Sequence, residues 1–127
     1  MAEGTGAAPA PSTGGLADNV AGLLVYLIGV LAIVFLLIEP YNKNKFVRFH
    51  CFQCIFFWVG VIALNIGLMI VSMALGMISS ALAAVAGILW LVFPLAYMVA
   101  WIMLMVKAYQ GQQWKLPVIG NLAEKYA

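Results

Sequence analysis

Hydrophobic and polar positions divide the chain into two uncharged stretches, residues 20–38 and 51–106, separated by a short polar segment and followed by a polar tail. A bilayer core of about 30 Å needs roughly 20 helical residues, because each advances about 1.5 Å and hydrocarbon offers no partner for an unpaired backbone amide. The first stretch has the length of one crossing, and the second has the length of two crossings with a tight connection. Neither alternates polar and apolar positions as a transmembrane β-strand does. The pattern predicts an all-α integral membrane protein with three transmembrane helices, over about 17–39, 45–75 and 84–107. They form one domain over 17–110, between a disordered Ala/Gly/Pro-rich tail over 1–16 and a short cytoplasmic juxtamembrane segment over 111–127.

Boundaries follow from local chemistry. Asp18 suits the first turn of the first helix, opposing the positive end of its dipole, and Glu39-Pro40 closes it, since proline lacks an amide hydrogen. Gly22, Tyr26 and Gly29 share one face of that helix, a shallow groove where another helix can approach. On the second helix His50, Cys54, Asn65 and Ser72, with Gly76, fall within one sector at about 100° per residue and make its polar or small face. This face is expected against the other two helices, with Asn65 the costliest to leave unpaired and Arg48 on another side, reaching back to the headgroups. No charge marks the next turn, expected within 74–83. Trp90, Pro94, Tyr97 and Trp101 share a face of the third helix. Gly111 should end it, and the Asn121/Glu124 spacing suggests one or two helical turns in the tail.

Composition sharpens the assignment. Hydrophobic residues make up 66% of the 127 residues and charged ones 8%, against about 25% charged in a typical soluble domain. A cleaved secretory signal is not expected, because no Lys or Arg precedes the first apolar stretch and that stretch is too long. Lysine and arginine near membrane helices stay on the cytoplasmic side. Lys43, Lys45 and Arg48 follow the first stretch, and Lys107, Lys115 and Lys125 lie at or beyond the end of the second. With three crossings this places the N-terminus outside and the C-terminus inside. Lys43, Lys45, Arg48, Trp114 and Lys115 then serve as interface anchors. The net charge of +2 is explained by this topology and marks no nucleic-acid surface.

The stretch His50-Cys51-Phe52-Gln53-Cys54 invites chemical readings. A zinc site needs four ligands, and one His with two Cys cannot close one within a single chain. The covalent haem signature places the His after the Cys pair, not before it. Two free thiols serving as small apolar fillers are the simpler account. His50 is the one candidate cofactor ligand, as an axial residue to haem or pigment, against hydrogen bonding to a backbone carbonyl or Glu39. No catalytic set, phosphate loop or acidic metal cluster is evident, and the expectation is a non-enzyme without catalytic residues, metal or cofactor.

The segments NVAGLLVYLIGVLAIVFLLIE, NKFVRFHCFQ and KAYQGQQWKLPVIGNLAEK resemble a bacterial family of small uncharacterised three-span membrane proteins, related to the inner-envelope subunit of the chloroplast protein-import translocon. The resemblance implies a multi-pass protein of the bacterial cytoplasmic (inner) membrane with a role in protein translocation or envelope maintenance, and supplies no catalytic residues. The expected partners are the lipid bilayer and other membrane subunits or further copies of the chain, with no nucleic acid. Two functions stand open: a non-enzymatic component acting through helix packing as a homo-oligomer or accessory subunit, and an ion-conducting or haem- or pigment-contacting subunit of an energy-transducing complex.

Overall fold

The computed structural model describes residues 16–127, which are helical with no strand. Five α-helices follow one another: α1 (Asp18–Leu27), α2 (Val30–Leu37), α3 (Lys45–Ile78), α4 (Ser80–Tyr109) and α5 (Ile119–Tyr126), with a 3-10 turn at Tyr41–Lys43 before α3. All but the last residue of the tail expected over 1–16 lies outside the described residues. The chain forms two compact units, residues 16–57 with 101–127, and Trp58–Ala100.

The all-α expectation is met, but among the described residues two helices, not three, are long and apolar enough to cross a bilayer. These are α3, of 34 residues, and α4, of 30. The single crossing expected over 17–39 is replaced by α1 and α2, of 10 and 8 residues. At about 1.5 Å per residue these rise only about 15 and 12 Å, half of what a crossing requires. The helix stops at Leu27, and Ile28 leaves helical geometry with φ −121° and ψ 89°. Glycine beside β-branched Ile28 and Val30 makes this the weakest helical stretch of the run.

Within the first unit, α1 lies parallel to the opening turns of α3. Asn44 Nδ2 donates to Asp18 Oδ1 at 2.7 Å, at the N-terminal ends of both helices. Gly22 faces Phe46 and His50, and the Val25 carbonyl faces Cys54, so the pairing advances in step along both helices. Two helices joined in sequence can run parallel only if the chain returns between them, and α2 makes that return. Its end is tied by Phe35 stacked on Tyr41 at 4.4 Å, while the Tyr41 hydroxyl accepts from the Leu16 amide at 3.0 Å. Hence α1 and α2 form a short hairpin whose two ends lie at one level. The start of α1 lies beside the end of α4, where Asn19 Nδ2 donates to the Tyr109 carbonyl at 3.0 Å.

Asn44 also starts α3, its Oδ1 accepting from the Phe46 and Val47 amides at 2.9 and 3.3 Å. The second unit is an antiparallel hairpin of α3 and α4. Trp90 Nε1 donates to Ser72 Oγ at 2.9 Å, and a Cβ on Gly76 would lie 3.8 Å from that of Ala83, two pairs centred on the same turn. That turn is tighter than the one expected over 74–83. Ser79 alone separates the helices, and its Oγ accepts from the Leu82 amide at 3.1 Å as an N-cap. One hydroxyl thus does what a charged or glycine-rich loop does elsewhere. Helix α4 continues through Pro94 to Tyr109 and is closed by Gly111, whose φ of 79° permits the Gln112 amide to reach the Lys107 carbonyl at 3.0 Å. The Asn121/Glu124 box does not form: α5 starts at Val118 without a side-chain cap, and Glu124 pairs with Lys115 instead.

The close approach of α1 rests on Gly22, where a Cβ would meet Ala108 and Phe46 at 3.2 Å. Gly22→Leu is expected to cost about 1–3 kcal/mol through overpacking, read as a lower midpoint in a detergent thermal melt, with Gly22→Ala intermediate. An unchanged midpoint for the leucine variant would contradict this packing.

Candidate functional site

Three polar side chains meet in the first unit with almost no exposed surface: Tyr26 of α1, and His50 and Gln53 of α3. The last two lie three residues apart, on one face of their helix. Gln53 Nε2 donates to the Tyr26 hydroxyl and to the Trp114 carbonyl, both at 3.0 Å, while its Oε1 accepts from the Leu116 amide at 3.0 Å. His50 Nε2 lies 2.9 Å from the Gln112 carbonyl, which can only accept, so Nε2 carries the proton. Nδ1 is then an acceptor, and the Tyr26 hydroxyl donates to it at 2.8 Å. The result is one directed chain, Gln53 to Tyr26 to His50 to Gln112, with donors and acceptors matched throughout. Phe46, Phe49 and Tyr26 stand edge-on around the imidazole, at 4.6, 5.1 and 5.4 Å between ring centres.

This chain clasps residues 112–116 against α3. Beyond it the backbone makes a tight turn, with Val118 at φ 67° and the Ile119 amide donating to the Pro117 carbonyl at 2.7 Å. A β-branched residue in the left-handed region is rare and strained. Gly120 follows because no side chain fits there: a Cβ would fall 2.9 Å from Gln53 Oε1 and closer still to Lys115. Arg48 secures the far end of α5, its Nη2 and Nε donating to the main-chain oxygens of Tyr126 and Ala127 at 3.2 and 3.3 Å. Its guanidinium also lies 5.5 Å from the centre of the Phe52 ring.

A second set of bonds serves the break between α1 and α2. The last hydrogen bond closing α1 runs from the Ile28 amide to the Leu24 carbonyl, leaving the next two carbonyls beyond the ladder. Cys54 Sγ donates to the Val25 carbonyl at 3.4 Å, and Trp101 Nε1 to the Tyr26 carbonyl at 2.7 Å. Irregular backbone in an apolar setting persists only where protein groups replace the lost partners, and both donors come from the helices flanking α1.

Of the expected polar face, His50 and Cys54 come together against α1. Asn65 and Ser72 lie in the other unit, where Asn65 Nδ2 donates back to the Val61 carbonyl of its own helix at 2.7 Å and Ser72 receives Trp90. Cys51 and Cys54 are both buried, as thiols and not as a disulfide. Among the expected anchors, Lys45 is exposed, Lys43 pairs with Glu39 at 2.9 Å in an exposed i,i+4 bridge, and Lys115 pairs with Glu124 at 2.9 Å. Trp114 is half-buried and gives its carbonyl to Gln53, and Arg48 holds the end of α5. Sequence reasoning missed Gln53 and Trp101 as bonding partners; the signal for Gln53 was its i,i+3 spacing from His50.

Comparison with known proteins places this architecture. Residues 12–123 match the magnetosome magnetite crystal formation protein family, MamF/MmsF. The chain belongs to this family. It is similar to a UPF0132 membrane protein of Methanocaldococcus jannaschii, 39% identical over 114 residues that cover 89% of this chain and 91% of the relative. A UPF0132 membrane protein of Archaeoglobus fulgidus is 33% identical over 112 residues, covering 85% and 93%. A second M. jannaschii protein of that name is 32% identical over 115 residues, covering 88% and 71%. These matches correct the resemblance to a bacterial family related to chloroplast import, since the family is MamF/MmsF and these relatives are archaeal. No solved structure matches the chain.

Gln53→Leu would strand the Trp114 carbonyl and the Leu116 amide, at about 1–3 kcal/mol for each buried group left unpaired, and would leave the Tyr26 hydroxyl with His50 alone. Limited proteolysis in detergent should then cut within residues 112–127, which the unmutated protein protects. Asn65→Leu, whose amide serves its own helix, should leave that protection intact. Equal protection in both variants would contradict the clasp.

Proposed function

We propose that this MamF/MmsF family member is a non-enzymatic integral membrane protein that acts through its helix surfaces, as a homo-oligomer or as an accessory subunit of a larger membrane assembly. The observation that carries this reading is the use of its buried polar atoms for internal bonding. Both ring nitrogens of His50, all three polar positions of the Gln53 amide, the Tyr26 hydroxyl and the Cys54 thiol are engaged by other parts of the chain. A general acid, nucleophile or axial ligand needs a free electron pair or proton aimed at a substrate. Using His50 as a haem or pigment ligand would break a bond to Tyr26 or Gln112. Outside the clasp the long helices present large apolar side chains, among them Ile62, Met69, Leu91 and Leu95, a surface suited to lipid and to neighbouring helices. Among the described residues no group of three or more His, Cys, Asp or Glu is placed to hold a metal ion. The membrane setting is supported by the names of the relatives, which are called membrane proteins.

In this reading α3 and α4 cross the bilayer and the α1–α2 hairpin enters and leaves on one side. All six Lys and Arg lie within residues 43–48 and 107–125, on the ends of α3 and α4 that carry the clasp. By the retention of basic segments that side is cytoplasmic, together with the start of α1 and the C-terminal segment. Single cysteines at Leu16 and Asn121 should react with a membrane-impermeant maleimide only after the membrane is opened. A cysteine at Met77, in the connection region, should react in intact cells. Labelling of Leu16→Cys from outside would overturn the topology. Absorption spectroscopy of the natively purified protein tests the function class: it should show no visible chromophore, and a chromophore lost on His50→Ala would defeat it.

A further inference from the structure

The α1–α2 hairpin has one polar-bonded side and one bare side. Tyr26, Val25 and Gly22 face α3 and α4, whereas Leu27, Ile28, Val30, Ile33 and Leu37 are exposed, Leu37 to 74%. The hairpin opens at the end of the first unit that bears the basic residues. Lys43, Lys45, Arg48, Lys107, Lys115 and Lys125 stand there against Asp18, Glu39 and Glu124, a positive excess that complements anionic headgroups. Charge thus sets the headgroup level at the hairpin's open end. With rises of about 15 and 12 Å, α1 and α2 reach from that level only into the nearer half of a hydrocarbon core about 30 Å thick. On the same side, Leu122 and Tyr126 are exposed one turn apart on α5, with exposed Val118 just before the helix and Lys125 Nζ 5.9 Å from the Tyr126 ring centre. Such amphipathic elements lie in the interface and are sensitive to curvature.

We propose that the hairpin is a one-leaflet wedge: its bare face is covered by acyl chains of the leaflet on the basic side, and the protein thereby favours membrane that is convex towards that side. An insertion confined to one leaflet adds area there and none opposite, so a convex surface, whose headgroups are already spread, accepts it at lower cost. Two crossing helices without the hairpin would lack this preference. The inference rests on α3 and α4 crossing the bilayer, and the test separates the two claims.

Full-length protein is reconstituted in giant vesicles of phosphatidylcholine and phosphatidylglycerol, from which membrane tubes are pulled outward. A dye on Asn121→Cys, bleached by an impermeant reductant from outside, identifies the molecules whose basic end faces out. Those molecules should be enriched several-fold on the tube relative to the flat membrane, and those of opposite orientation should be depleted. Ile33→Asn with Leu37→Asn, both at exposed positions, should bring the ratio towards unity while circular dichroism stays unchanged. A ratio of one in both orientations, or enrichment that survives the double variant, would overturn the wedge. So would spin-spin broadening of a label on Ile33→Cys in dilute vesicles, which would mean that a second copy covers the face. Failure of the crossing itself would appear separately, as carbonate extraction of the protein from the vesicles.

Discussion

Hydrogen bonds between Tyr26, His50 and Gln53 hold together elements that no continuous apolar packing would distinguish. In hydrocarbon a helix gains little from contact with another helix beyond close packing and matched polar groups, because lipid tails are as apolar as leucine. The directed chain from Gln53 through Tyr26 and His50 to Gln112 therefore does two tasks at once. It fixes α1 alongside α3, and it draws residues 112–116 back over the helix ends. Its cost is specificity of protonation: only the tautomer with the proton on Nε2 satisfies every partner. The left-handed backbone at Val118 is tolerated because Gln53 and Arg48 grip the segment on either side of it.

The same economy explains the broken first stretch. A continuous helix there would satisfy its own carbonyls and need no neighbours. Interrupting it at Ile28 and Gly29 releases the carbonyls of Val25 and Tyr26, which Cys54 and Trp101 take up. The thiol is thus more than a filler, although its burial is that of a small apolar side chain. Serine could make the same bond at Cys54, and alanine could not. The hairpin and the clasp depend on each other, since Tyr26 supplies its hydroxyl to one and its carbonyl to the other.

Length and charge made the two long helices legible, and the polar threshold around Arg48 and His50 was visible as an interruption between apolar runs. Gly111 marked the end of α4 because a left-handed cap demands glycine. The hairpin was not legible: residues 20–38 have the length and hydropathy of a crossing, and nothing in the periodicity separates one helix from two short ones joined by Ile28 and Gly29. The Ser79 turn was hidden for a related reason, since a one-residue connection capped by a hydroxyl leaves little compositional trace. The polar face was traced along one ideal helix, which joined His50 to Asn65 and overlooked Gln53, because bonding partners in this fold are chosen by what α1 and the C-terminal segment bring to the helix.

The central claim is that α1 and α3 begin side by side. It is tested most directly by the distance between spin labels on Leu16→Cys and Lys45→Cys in lipid nanodiscs, measured by pulsed electron resonance. A hairpin places these exposed positions at one level and predicts a narrow distribution well below about 30 Å, the rise of 20 helical residues. A distribution centred at or beyond that value would mean that residues 18–38 cross the membrane, which contradicts both the hairpin and the parallel pairing of α1 with α3.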